Sequence, residues 1–404
     1  MTPNERTEMK VYLDNNATTK VDETVLEEIL PYFSEKYENP SSLYSTEILS
    51  AVSNARKQVA KAINVNPNEI IFTSCGTEGT NLAIRGVLAE IKDKNHIITT
   101  KVEHAATLST CQELEKQGYE VTYLNVNSVG GLDLKEFKNS ITSKTALIAV
   151  MWANNETGVI FPIKEIAEIT KETNPETLVF VDAVQAMGKI PIDLQSSKID
   201  LLSFSGHKIH APKGIGALFV RNGIKMKPII TGGHQEQSIR SGTENVAGIL
   251  AIGKACEMLH PENENIRKLR DKLETGILKS CFNARINGSK ENRVANTTNI
   301  SFEYLESELI LMELQEQGIY VSSGSACLTG SLEPSYVLSA MGLSFTQANA
   351  AIRFSLSKYT TEDEIDYTIV KVSEIINKMI SLSPYENELN KIRERRISEI
   401  ILRH

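Results

Sequence analysis

Lys208 stands in the stretch SFSGHKIHAPKGIGALFV (203–220), where an apolar run stops at a small polar cluster before a Gly-rich strand. A charged amine is costly to bury between two apolar strands. It must reach water, pair with an acid, or be neutralised by a covalent bond. One strand earlier, VFVDAVQ places Asp182 at the end of another apolar run. Open α/β sheets bind ligands beyond the C-terminal ends of their strands, so this acid and this lysine can face one crevice. A buried Asp–Lys ion pair satisfies the pattern. So does a pyridoxal phosphate site, in which a lysine forms a Schiff base and a carboxylate keeps the ring nitrogen protonated.

A phosphate cradle favours the second reading. IIFTSCGTEGTNLAI reads as a strand, a tight turn at Gly76 and a helix beginning near Thr77. Backbone N–H groups and the helix dipole attract an anion there. Ser205 and His207, beside the lysine, offer further donors. HIITTKVEHAA ends a strand at His104, whose imidazole can stack on a ring or move protons. MWANNETG ends another at Asn154 and Asn155. Five strand ends therefore carry small polar or ionisable groups, a convergence that a structural protein has little reason to keep.

The elements that must position these groups are apolar runs alternating with helical stretches. Strands are expected at 69–74, 96–100, 120–126, 145–153, 177–183, 201–205 and 215–220, with helices between most of them. Val- and Ile-rich runs spaced by helices indicate an α/β domain with a mostly parallel, seven-stranded sheet. The last two runs are too close for a crossover helix, which predicts an antiparallel pair. Beyond about residue 260 the texture shifts to a long amphipathic helix, shorter strand candidates (TTNISFEYL, IYVSSGSA, AIRFSLSK) and a capping box at Thr361 and Glu364. The expected division is a large domain over 18–262 and a smaller α+β domain formed by 1–17 and 263–404. The charged tail, with Leu389, Ile392 and Ile397, reads as a surface helix.

Bulk properties exclude several classes. The chain has 404 residues, 41% of them apolar, and a net charge of −8, which argues against a nucleic-acid surface. No apolar run reaches membrane-spanning length, and MTPNERTEMK lacks a signal-peptide core. A cytoplasmic protein is expected. The five cysteines form no CxxC pair, and His207 and His210 lack partner ligands, so neither a disulfide framework nor a metal site is expected.

YLDNNATT, NPSS, TEGTNLAIRG, EH, ANNETG, VDAVQAMGKIPID, SFSGHKIHAPKGIG, RSGTENV and SSGSAC occur in this order over roughly residues 10 to 380. Together they resemble the cysteine desulfurases of the NifS/IscS type, within the class V aminotransferase fold. The resemblance implies a pyridoxal 5'-phosphate homodimer that takes sulfur from L-cysteine and releases L-alanine. It assigns Lys208 to the Schiff base, Asp182 to the ring nitrogen, Gln185 to the ring hydroxyl and His104 to stacking on the ring. Gly76, Thr77, Ser205 and His207 match phosphate contacts, and Thr243 matches one delivered by the other subunit. Asn155 matches an asparagine near ring and substrate, and Arg353 the clamp on the substrate carboxylate, a natural bidentate task.

The lysine, acid and cradle give the cofactor; the reaction depends on Cys327, in SSGSACLTGSLEPSYVL. Its match implies that the thiolate attacks the substrate sulfur and keeps it as a persulfide. Only the thiolate reacts, so its surroundings or a proton acceptor such as His104 must activate it. A class V aminotransferase would need no Cys327. A selenocysteine lyase is a closer alternative, disfavoured by the long segment from Cys327 to Pro334. A NifU/IscU-like iron–sulfur scaffold is the expected sulfur acceptor. Tyr44 and Ile48 replace a His and a Gly frequent in the family, Cys75 precedes the phosphate turn, and Gly79 stands where Ser or Asn is common.

Overall fold

The computed structural model describes residues 9–261, 263–323 and 334–401. After a short strand β1 (Val11–Tyr12), seven strands build the central sheet: β2 (Ile70–Thr73), β3 (His96–Thr100), β4 (Glu120–Leu124), β5 (Thr145–Met151), β6 (Leu178–Asp182), β7 (Leu201–Ser205) and β8 (Gly216–Val220). Their order is β2-β8-β7-β6-β5-β3-β4. Only β8 runs against its neighbours β2 and β7; the other pairs are parallel. This is the α/β sheet and the antiparallel pair that the sequence predicts.

Every residue of β5, TALIAVM, is buried, as a strand covered on both faces must be. On one face the helices Thr46–Ala62 and Val246–Glu257 pack together. Gly253 makes that approach possible: a Cβ there would lie 2.7 Å from Cβ of Ala55. The other face is covered by Gly76–Leu88 and Ala105–Lys116, whose Leu82 and Leu114 join Leu147 and Leu218 of the sheet. Burying each such side chain contributes about 1.5–3 kcal/mol.

A second apolar cluster lies apart from the sheet. It gathers Val11 and Leu13 with Leu273, Ile277, Phe302, Phe354, Ile365 and Ile376. Its strands are β9 (Ala284–Asn287), β10 (Thr297–Phe302) and β12 (Ala351–Ser355), antiparallel in the order β12-β10-β9, while β11 (Ile319–Tyr320) pairs with β1 in parallel. β9 has no sequence signal, since ARIN lacks a β-branched run. It is held by Asn287, whose amide donates to Asn299 Oδ1 and Ser301 Oγ, both at 2.7 Å. The capping box opens the helix Glu362–Leu382: Thr361 N–H donates to Glu364 at 2.8 Å and the Thr361 hydroxyl accepts in return. No helix among the described residues is long and apolar enough to cross a membrane.

β3 and β5 lie side by side, but the chain passes from β3 to β4 on one side and from β5 to β6 on the other. Connections that diverge at such a point open a crevice beyond the strand ends. His104 follows β3 and Asn155 follows β5, which brings both to this crevice.

Candidate active site

β2 delivers the chain to a turn at Ser74 and Cys75, and the helix Gly76–Leu88 begins with Cys75 as its N-cap. Glu78 ties this turn down, accepting from Ser74 N–H at 2.7 Å and from Arg240 Nε at 2.8 Å. Burial alone would raise the Glu78 pKa, but the Arg240 and Ser74 hydrogen bonds outweigh it and leave the acid more easily ionised. A Cβ at Gly76 would lie 2.6 Å from Cγ2 of Val184. The helix N-terminus therefore approaches the Asp182–Gln185 turn more closely than any side chain at position 76 permits.

Asp182 closes β6, is 6% exposed, and accepts from Val184 N–H at 2.9 Å. Burial pushes its pKa up, while the charges of His104 and Lys208 pull it back. His104 N-caps the helix Ala105–Lys116, its Nδ1 accepting from Ala106 N–H at 3.1 Å. That bond uses the Nδ1 lone pair, which places the ring's proton on Nε2. Lys208 ends the short 3-10 turn after β7, and its Nζ donates to the carbonyls of Asn16 (2.5 Å) and Ala17 (2.7 Å). Gln185 Nε2 donates to the same Asn16 carbonyl at 2.9 Å. His207 meets the Thr18 hydroxyl at 3.2 Å; burial and then the charges of Lys208 and Lys213 hold its pKa down at about 4, so it is neutral at physiological pH.

One cavity of about 330 Å³ gathers these groups. Lys208, Asp182, Gln185, His104 and Asn155 line it, as do Gly76, Thr77, Ser205, His207 and Arg353. Cys75 is also on the wall. Thr243 is not: it is exposed, three residues beyond Arg240. Cys327 lies outside the described residues.

The donor set fits a ligand that carries a phosphate, a basic ring nitrogen and a carboxylate. Three buried polar atoms on this wall have no hydrogen-bond partner: Ser205 Oγ, Asn155 Oδ1 and Arg353 Nε. Leaving such groups unpaired costs about 1–3 kcal/mol each, which a polar ligand at these positions removes. The start of the Gly76–Leu88 helix supplies backbone N–H groups at one end, and buried Asp182 supplies a negative charge at another. Pyridoxal phosphate, the cofactor expected from the sequence, has the phosphate and the ring nitrogen, and an amino-acid substrate beside it has the carboxylate.

Arg353 is 3% exposed, on β12, with Nη2 on Asp14 Oδ1 at 2.7 Å and Nη1 on the Asn155 carbonyl at 3.0 Å. Its backbone is bonded to Ser322 in both directions, at 2.6 and 3.3 Å. On the far side of residues 324–333, Ser335 donates to Glu156 Oε2 at 2.5 Å and Tyr336 donates to the Glu103 carbonyl at 2.6 Å. Glu103 and Glu156 are both buried, and burial raises the pKa of each. The residues that precede and follow the 324–333 segment are thus fastened to the cavity's own framework.

Sequence reasoning gave no role to Asp14, Asn16, Glu103, Glu156 or Lys189. All sit inside or beside the motifs, but their partners lie far along the chain. Asn16, for example, donates to Asn155 at 3.1 Å and Thr297 at 2.9 Å.

A family model for class-V aminotransferases matches residues 11–368. A protein of Nostoc sp. named cysteine desulfurase is 53% identical over 384 residues, 94% of this chain and 96% of that protein. The "Cysteine desulfurase NifS" of Azotobacter vinelandii is 47% identical, covering 93% of this chain and 94% of its own length. A solved structure titled "NifS-like protein" superposes with a TM-score of 0.86 at 41% identity, over 91% of this chain and all of that one.

Proposed function

The chain belongs to the class V aminotransferase family as a cysteine desulfurase that uses pyridoxal 5'-phosphate, and from that premise we propose how its residues divide the work. Gly76, Thr77, Ser205 and His207 hold the phosphate. Asp182 holds a proton on the ring nitrogen, Gln185 meets the ring hydroxyl, and His104 stacks on the ring. Held there through Lys208, the cofactor would supply an electron sink for the Cα of the bound substrate. Arg353 and Asn155 hold the substrate carboxylate. Arg353 Nε is the donor left over from its bonds to Asp14 and Asn155. The Lys208 amine moves the Cα proton. Cys327 attacks the substrate sulfur: an S–S bond forms, the C–S bond breaks, and the carbon side leaves as L-alanine once protonated.

Cys327 is five positions beyond Ser322, so a fully extended chain keeps it within about 17 Å of that anchor. The other thiols suit the role less well. Burial pushes Cys111 up to about 12 and Cys281 up to about 11, and raises Cys256 as well. Cys75 sits in the turn that opens the phosphate helix, which leaves its thiol little reach. The working unit is a homodimer in which Thr243, exposed on a segment linked to the cradle through Arg240 and Glu78, reaches the phosphate of the other subunit. The sulfur passes from Cys327 to a NifU/IscU-like scaffold for iron–sulfur cluster assembly. The free thiols of Cys75, Cys111, Cys256 and Cys281 suit a reducing, cytoplasmic setting.

The observation that carries this reading is the convergence of ten expected site residues on one cavity with three unpaired polar atoms. The test is incubation of the cofactor-loaded chain with L-cysteine and no keto acid, followed by mass spectrometry. Alanine should form and the extra sulfur should sit on Cys327. Amino transfer that requires a keto acid, or sulfur on another cysteine, refutes it.

A further inference from the structure

Lys189 has no part in the roles assigned above, yet it touches two residues of the active-site wall. Its amine donates to Oε1 of Gln185 and, at 3.1 Å, to Oδ1 of Asn16. It comes from behind. Lys189 lines a second cavity, of about 120 Å³, whose wall also includes Lys208 and Asn296; it is not on the wall of the first.

A glutamine amide has one accepting end and one donating end, and a flip exchanges them. An ammonium has donors only, so the oxygen end of Gln185 must face it. The nitrogen end is left for the cavity side, where Nε2 donates to the Asn16 carbonyl that also takes the amine of Lys208. A flipped Gln185 would set N–H against N–H at Lys189 and oxygen against oxygen at Asn16. Asn16 is oriented in the same way. Lys189 and Asn296 both donate to its Oδ1, which turns its Nδ2 toward the Asn155 carbonyl and Thr297. Burial and the nearby charges of Lys208 and Arg353 pull the Lys189 pKa down, while its two oxygen acceptors, Gln185 Oε1 and Asn16 Oδ1, favour the charged form.

We propose that Lys189 is a positioning residue that locks the Gln185 amide, so that Gln185 presents donors and never an acceptor to the oxygen on the cofactor ring. The inference rests on the cofactor assignment above. A donor stabilises the anionic form of that oxygen and lowers its proton affinity. Losing the lock raises it.

The experiment is a pH titration of the bound cofactor's visible absorbance in four proteins: parent, Lys189→Met, Gln185→Ala and the double variant. Lys189→Met should move the spectral midpoint up by about one pH unit, tenfold in proton affinity. In the Gln185→Ala background the same change should move it by less than about a third as much, because the lock then has nothing to hold. Lys189→Gln, which keeps an N–H donor, should recover most of the shift. It also keeps the test open if Lys189→Met folds poorly, as circular dichroism of the cofactor-free proteins will show. An unmoved midpoint overturns the inference. So does an equal shift with and without Gln185, which would make Lys189 a through-space charge. A parent protein that binds no cofactor refutes the cavity assignment itself, a result distinct from either.

Discussion

Substituting Gly76 by alanine probes the cradle with a single methyl group. A Cβ there lies 2.6 Å from Val184 Cγ2, whereas carbon atoms rest about 3.5–4.0 Å apart. Roughly 1 Å must be found, and Ser205 Cβ, 3.7 Å away from the same point, leaves no slack on its side. Either the helix N-terminus retreats or Val184 does, carrying the flanking Asp182 and Gln185. N–H···O bonds operate at about 2.7–3.2 Å, so a displacement of that size breaks phosphate contacts. Overpacking of this kind costs about 1–3 kcal/mol. At about 1.4 kcal/mol per decade, the dissociation constant for pyridoxal phosphate rises about 5- to 100-fold. Trp152, the sole tryptophan, lies buried just beyond β5 and serves as the reporter when cofactor-free protein is titrated. Val184→Ala removes the obstructing methyl, so the Gly76→Ala/Val184→Ala protein should bind within about threefold of Val184→Ala alone. Affinity within about twofold of the parent in Gly76→Ala, or no rescue by Val184→Ala, refutes the argument from close approach.

Cys327→Ser should keep the cofactor's absorbance and lose alanine formation by at least about 100-fold; turnover at the parent rate removes Cys327 from the mechanism. His207 stays neutral in the fold down to about pH 4, whereas an unfolded histidine takes its proton near 6.5. Acidification across that window therefore favours the unfolded chain, and stability falls from about pH 6.5 to 4. His207→Asn should show a shallower fall in melting temperature, and parallel curves would contradict the assignment. Ser335→Ala strips Glu156 of its hydroxyl donor and the helix Tyr336–Ala340 of its cap. The expected cost is about 1–3 kcal/mol, read by thermal denaturation, and an unchanged melting temperature argues against the anchor.

Most of the seven central strands were legible because they are dense apolar runs, and the antiparallel pair followed from the short link between the last two. The cavity was legible because polar residues at strand ends stand out against such runs. β9 was not, since its stability comes from the amide of Asn287 and not from a hydrophobic pattern. The pairing of Arg353 with Asp14 was equally hidden, because 339 positions separate the partners and no local period encodes them. Lys189 shows a third kind of silence: it sits within a motif that was read, but the role proposed for it lies in which end of a neighbour's amide it donates to.

The two-way backbone bond between Arg353 and Ser322 links selectivity to chemistry. The guanidinium proposed to grip the incoming amino acid shares one rung with Ser322, five positions before Cys327, the proposed sulfur carrier. A substitution that shifts the grip, to admit a longer or differently angled substrate, also shifts Ser322. Redesign of what this enzyme accepts must therefore treat positions 322 and 353 as one part, adjusted together.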